Sequence, residues 1–246
     1  MIENIEMPLV RSHTYKLFSL AFLKPDDELK NLLKKGEFQL SIEDAFKRLN
    51  VSSYKLNISG ETIDNLEETY YMVFGHSTPK EYPPYETEYG VSHVFMQSQE
   101  LADISGFYKA FGLDISKSAF ERLDHITVEL EFMAYLTFKE AHAIREGNPK
   151  NIELCRDAQR KFFKDHIGRW VPAFANRLKK AFDTTFYTQV AQALKAFLDA
   201  EANFLSVDPS QMRYIDAMPV SFAPEGDCFS CGDANVCNTF FNQKEV

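Results

Sequence analysis

Pro83-Pro84-Tyr85-Glu86-Thr87-Glu88-Tyr89-Gly90, and Asp124-His125 running on to Glu129-Leu130-Glu131-Phe132-Met133, place ionisable groups in strongly aromatic and apolar surroundings. Two successive prolines fix an extended turn and remove two backbone donors, so the first motif reads as a stiff loop held at low entropic cost. Tyr82, Tyr85 and Tyr89 offer flat amphipathic surface, and Glu86 and Glu88 add negative charge. Rings and acids on a rigid loop suit an arginine-containing apolar peptide, through cation–π contact and carboxylate–guanidinium bonds. The same residues equally suit a tight helix connector whose tyrosines cap the core.

In the second motif Asp124 reads as a helix N-cap, with Leu123 and Val128 spaced as a hydrophobic staple. On the helix that follows, Glu129 and Glu131 project about 200° apart at about 100° per residue, so they do not act together on one substrate. A buried carboxylate without a partner is costly or takes up a proton, so each should meet a cation or a donor. His125, four residues before Glu129, is the nearest candidate. Three readings follow for these groups. They hold helices in register; or Asp124 and His125 lie on an exposed recognition surface; or they form a catalytic His–Asp pair. The third lacks an identifiable nucleophile or oxyanion device.

Cys228-Phe229-Ser230-Cys231 with Cys237 is a further candidate site. A C-x2-C pair plus a third cysteine can hold zinc or three corners of an iron–sulfur cluster. A closed zinc site needs a fourth ligand, and no histidine follows His166. Cys155, Asp233 or a second subunit would have to supply it; otherwise these are free thiols.

The elements that position these groups read as helices almost throughout. Apolar residues recur at helical spacing from Met7 to Leu23, ending before Pro25. Asp26 to Lys35 is a short helix closed by Gly36, and Ser41 is placed to cap another through Leu49. Ile63, Leu66, Tyr70, Val73 and Phe74 share a face, with Gly75 as a stop. Pro79, Pro83 and Pro84 make 76–89 a loop. A helix resumes near Ser92 and runs to about Phe111, before Gly112. The helix from Asp124 to about Glu146 is apolar all round its middle, which implies burial, and Gly147-Asn148-Pro149 ends it. Ile152 to Phe182, interrupted near Pro172, and Thr185 to Leu205 complete the set. Strand-like alternation is confined to Tyr54–Ile58. The class is all-α, divided into a helical bundle over 1–147, a helical hairpin over 148–207 and a cysteine-containing tail over 208–246.

Bulk properties agree. With 246 residues the chain can bury a sizeable core. The 22 phenylalanines against one tryptophan point to aromatic wedges between helices, and ten glycines are few for a turn-rich β fold. A formal charge of −9 disfavours nucleic acid and anionic lipid and suits a basic peptide. Met1–Glu6 shows no basic region leading into an apolar run, and no stretch approaches the roughly 20 apolar residues of a membrane span. Four cysteines placed this way are no extracellular disulfide framework, so a cytoplasmic location is expected.

Taken in order, Tyr70…Phe74-Gly75, Pro83 to Tyr89, Asp124-His125 with Glu129 to Met133, Phe162…His166…Trp170 with Pro172 and Phe174, and Phe186-Tyr187 resemble the TorD/DmsD/NarJ family. The resemblance covers about residues 5 to 205. It implies an all-helical cytoplasmic chaperone, not an enzyme, for a molybdopterin oxidoreductase. Such a chaperone binds the twin-arginine leader or another N-terminal segment of the catalytic subunit and holds the apo-enzyme until its cofactor is inserted. By motif, Tyr85, Glu86, Tyr89, Asp124 and His125 become candidate peptide contacts, and Glu129 joins them as their ionisable neighbour. Homodimers formed by domain exchange also occur in the family, and a hinge at Gly147–Pro149 would permit one. Guanine nucleotide binding, proposed within the family, has no support in a phosphate-loop motif here. The resemblance requires no cofactor; zinc or an iron–sulfur cluster at Cys228, Cys231 and Cys237 is the alternative centre of function.

Overall fold

The computed structural model describes residues 4–51, 54–75, 78–89, 94–114, 121–208 and 212, with only the backbone of 94–96. Helices dominate: α1 Glu6–Phe22, α2 Asp27–Lys34, α3 Glu37–Arg48, α4 Gly60–Asp64, α5 Leu66–Phe74, α6 Val94–Ala110, α7 Ile126–Arg145, α8 Pro149–Phe162, α9 Gly168–Ala181 and α10 Phe186–Phe204. The fold is all-α, with no strand among the described residues and one isolated antiparallel bridge between Tyr85 and His125. No helix there is long and apolar enough to cross a membrane. The cysteines Cys228, Cys231 and Cys237, like Gly90, lie outside the described residues.

Local sequence explains most helix ends. Asp26 caps α2 by accepting the Leu29 N–H at 2.9 Å. Gly36 then turns the chain with φ +72°, a conformation that strains residues with a Cβ. Because α3 starts directly after Gly36, Ser41 falls inside that helix and caps nothing. Asn148 caps α8 with Pro149 in its first turn, and Thr185 and Thr188 form a reciprocal capping box on α10. The alternation near Tyr54–Ile58 yields an extended segment pinned by a side chain: Asn57 donates its N–H to Gln189 Oε1, and Gln189 Nε2 donates to Asn57 O.

Helix α7 is the spine. Helix α1 runs antiparallel along it, Ser12 Oγ donating to Ala134 O and Ser19 Oγ to Thr127 O. Helix α8 folds back on α7 through Gly147, and α9 pairs with α10. One apolar cluster, which includes Phe18, Leu130, Met133, Phe162, Trp170, Phe174 and Phe197, runs through all of them. Aromatic wedges hold it, as the composition suggests: Tyr15 meets Phe197 at 4.8 Å and Phe132 meets Phe162 at 4.8 Å, both edge-on. The expectation that α7 is buried all round does not hold. Phe138 is half exposed, and Glu131 pairs with Lys16 on the surface, because neighbouring helices cover only part of the α7 circumference.

The interruption expected near Pro172 lies earlier. Phe163–Ile167 forms a π turn between α8 and α9, and Pro172 stays inside α9. A π turn adds one residue to a helical turn and re-aims the side chains around it. Here the turn brings Phe163 O to 2.7 Å from where a Cβ on Gly168 would sit, so a side chain has no room at that position.

Away from both motifs, a buried cluster around Arg11 ties four helices together. It donates to both Glu201 oxygens at 2.7 Å and to Glu140 Oε2 at 3.4 Å, and Tyr15 OH donates to Glu201 at 2.8 Å. Arg156 and Gln159 of α8 donate to Glu140.

Candidate functional site

The proline–tyrosine loop and the Asp124–His125 segment are one structure. Glu86 N–H donates to Asp124 O at 3.0 Å, and Ile126 N–H donates to Pro84 O at 2.9 Å. These bonds form the Tyr85–His125 bridge, after which the loop closes in a short 3-10 turn over Glu86–Glu88.

Asp124 is fully buried and holds the loop from below. Its Oδ2 accepts from Thr87 N–H at 3.2 Å, Thr87 Oγ1 at 2.8 Å and Arg122 Nη2 at 2.7 Å, and its Oδ1 accepts from Arg122 Nε at 3.0 Å. The Arg122 guanidinium stacks on the Tyr85 ring at 4.5 Å and reaches Glu88 at 3.3 Å. Because Asp124 is committed in this way, it does not cap α7. His125 does, its Nδ1 accepting the Thr127 N–H at 3.3 Å while also bonding Thr127 Oγ1 at 2.7 Å.

Beneath the loop lies a second layer. Glu86 is buried, and both its oxygens contact His166 Nδ1, at 3.2 and 3.1 Å. The other His166 nitrogen is 3.4 Å from Asp103 of α6. Glu129 is fully buried and accepts from Trp170 Nε1 at 3.0 Å. Burial, and after it the charge and hydrogen bonding of Glu86, hold the Glu129 carboxyl far above the ordinary carboxylate range. Both effects favour its protonated form. Tyr89 is buried too, its ring 5.2 Å from Trp170 and 4.7 Å from the Arg177 guanidinium.

Three expectations are corrected by this geometry. Asp124 and His125 are not an exposed surface, being 0% and 5% accessible, because the loop packs over them. The partner of Glu129 is the Trp170 indole rather than His125, whose ring turns away toward Thr127 and Tyr85. No His–Asp dyad is built, since Asp124 spends its oxygens on Thr87 and Arg122.

What remains open to solvent is a cleft of about 190 Å³ above this block. Phe22, Tyr70, Phe74, Pro79 and Pro84 wall it, and Tyr85, Glu121 and His125 supply its polar edge. Tyr85 OH donates to Glu121 Oε2 at 2.7 Å, and burial together with that carboxylate keeps the phenol protonated. Burial pushes His125 down to about 4, against the pull of Glu121 and Asp124, so its ring is neutral at pH 7. Of the sequence candidates, Tyr85 and His125 reach the cleft, while Glu86, Tyr89, Asp124 and Glu129 support it from inside. Glu121, Arg122 and Thr87 were not singled out as site residues. The adjacent acid–base pair just before Asp124 was the available signal for the first two. Among the described residues, no group of three or more His, Cys, Asp and Glu is arranged to hold a metal ion.

Comparison with known proteins agrees with this architecture. The family model described as nitrate reductase delta subunit matches residues 35–176. The chain is 27% identical over 213 residues to the perchlorate reductase assembly chaperone protein of Dechloromonas aromatica, covering 81% of this chain and 92% of that protein. It is 33% identical over 130 residues to the chaperone protein TorD of Photobacterium profundum, covering 52% and 59%. It is 34% identical over 112 residues to the selenate reductase assembly chaperone protein of Thauera selenatis, covering 46% and 56%. The chain thus spans little more than half the length of the last two.

Proposed function

We propose, since this chain belongs to the nitrate reductase delta subunit family that includes the TorD-type assembly chaperones, that it is a chaperone of molybdoenzyme maturation and not a catalyst. Its partner is the apo form of a molybdopterin oxidoreductase catalytic subunit in the cytoplasm. It binds the basic leader or another N-terminal segment of that subunit and holds the apo-enzyme for cofactor insertion.

One observation carries the contact surface. The two motifs are welded into a rigid block whose cleft presents an acidic and aromatic edge of Tyr85, Glu121 and neutral His125. A preformed cleft of this kind lowers the ordering cost of binding, and its chemistry complements a segment that is basic and then apolar. Glu86, Tyr89, Asp124 and Glu129 act as positioning residues for it. Calorimetric titration with twin-arginine leader peptides tests the reading. Saturable binding, weakened about tenfold or more by Tyr85→Ala in a chain that still unfolds cooperatively, is the expected result. Absence of binding to any leader, with the fold intact, would remove leader recognition from the proposal.

Two further parts are separable from this reading. A homodimer formed by exchange of 148–207 about Gly147–Pro149 predicts twice the monomer mass in sedimentation. Zinc or a cluster at Cys228, Cys231 and Cys237 predicts stoichiometric metal in the purified chain, lost in Cys228→Ser.

A further inference from the structure

Helix α7 borders a second cleft, away from the loop. Helices α1 and α8 leave a strip of α7 uncovered, on which Tyr135, Lys139, His142 and Glu146 recur at helical spacing, the last three exposed. The end of α6 closes one side, where Phe111 meets Phe132 at 6.0 Å, and the first half of α8 closes the other. Between them lies a cleft of about 540 Å³, with Phe111, Tyr135 and the half-exposed Leu154 as apolar walls. That volume falls within the roughly 300–1,000 Å³ of pockets that enclose a ligand, so more than one side chain fits. Glu146 is met by Arg145 at 3.4 Å, whereas Lys139 makes no ion pair among the described residues. Burial and then Glu140 raise the Cys155 thiol, and Lys139 opposes them, which puts its ammonium charge close to the lining of the cleft.

The chain after α10 is fastened at the far end of α8. Arg160 Nε donates to Leu205 O at 3.2 Å, and Met212 packs against Gly168, its Sδ 2.9 Å from where a Cβ would sit. From the adjacent Phe163 back to Cys155 in the cleft is eight residues (163 − 155), or about 12 Å at about 1.5 Å per residue. Residues 213–246 follow and lie outside the described residues. Between Arg213 and Lys244 they carry Asp216, Glu225, Asp227 and Asp233 and no lysine or arginine, interspersed with Phe222, Phe229, Phe240 and Phe241. Acids and rings on the tail complement an unpaired ammonium and aromatic walls in the cleft.

We propose that this cleft seats the chain's own C-terminal tail, with 225–241 as the docked stretch. Reach is no obstacle: thirteen residues (225 − 212) lead from Met212 to Glu225, and about four extended residues already cover about 12 Å. A segment tethered within reach of its seat is presented there at an effective concentration on the order of mM, so modest complementarity suffices. A second copy of the chain arrives only at its solution concentration, which favours the tail as occupant. The inference does not rest on leader binding, because this cleft uses none of Tyr85, Glu121 and His125.

The test uses the full chain, as wild type, Lys139→Glu and Leu154→Asp; both positions are exposed, so the core is untouched. By hydrogen exchange with mass spectrometry, peptides within 225–241 should exchange about tenfold or more slower than an unstructured chain, and each substitution should remove most of that protection. A carbodiimide, which condenses an amine with a touching carboxylate, should link Lys139 to an acid of the tail within one chain. Exchange of 225–241 at the unstructured rate in wild type would overturn the proposal. Protection that both substitutions leave intact would seat the tail elsewhere and overturn it too. A Lys139 cross-link formed only between chains, in mixtures of isotope-labelled and unlabelled protein, would put a second copy in the cleft instead.

Discussion

Arg11 and Glu129 are both fully buried, yet one sits among opposite charges and the other beside its own sign. Around Arg11 the count balances: two guanidiniums, Arg11 and Arg156, against two carboxylates, Glu140 and Glu201. Around Glu129 the neighbours Glu86 and Asp124 are also acids, while Arg122 is shared with Glu88 and His166 with Asp103. The first cluster keeps its charges because each is paired. The second relieves its like charges by favouring a proton on Glu129 beside Glu86. A balanced cluster fastens helices. An unbalanced one is maintained against a cost to stability, and here it lies directly under the cleft.

Breaking the balanced side should have the largest effect. Arg11→Met leaves Glu140 and Glu201 buried with too little positive charge. A loss of about 3–5 kcal/mol in urea denaturation is expected. On the other side, His125 should dominate the acid limb. Its folded value near 4 lies below the ordinary 6.5, so the unfolded chain binds more protons between the two. Stability from this group is complete above about pH 6.5 and is lost as pH falls through about 4, on the order of 3 kcal/mol in all. In His125→Asn, which keeps a capping acceptor, that limb should flatten; an unchanged slope in denaturation from about pH 4 to 7 would refute the assignment.

Asp124→Ala strips four donors of their acceptor. It should cost about 1–3 kcal/mol and speed hydrogen exchange at Thr87 more than at Leu130. Glu129→Gln sharpens the contrast in the opposite direction. With its value raised, Glu129 holds a proton in the folded chain that the unfolded chain releases above about pH 4.5, so wild-type stability declines as pH rises. Glutamine keeps the acceptor for Trp170 and removes that decline, so the variant should gain more at about pH 8 than at about pH 5. The smallest effect belongs to Lys16→Ala. Its ion pair with Glu131 is more than half exposed on both sides, and a change within about 1 kcal/mol is expected.

Much of the architecture was readable along the chain. Gly75, Gly112 and Gly147 stand where α5, α6 and α7 stop, and Thr185 opens α10, because caps and left-handed turns depend on a few adjacent residues. The separation of Glu129 from Glu131 followed from helix geometry alone, and the two indeed meet different partners, Trp170 inside and Lys16 outside. Where reading failed, the competing partner was distant. Asp124 is a good N-cap residue, but Thr87, 37 positions away, and Arg122 hold it more strongly. Nothing within four residues of Glu129 announces an indole 41 positions on.

The sequence by itself determined the helical class and most element ends, since these depend on local periodicity, capping and composition. Only the tertiary structure decided that the motifs are one block and that most of their acids face inward. Burial, and the partner a charge finds across the fold, arise when helices distant in the chain are packed together, and neither is written in the spacing of neighbouring residues.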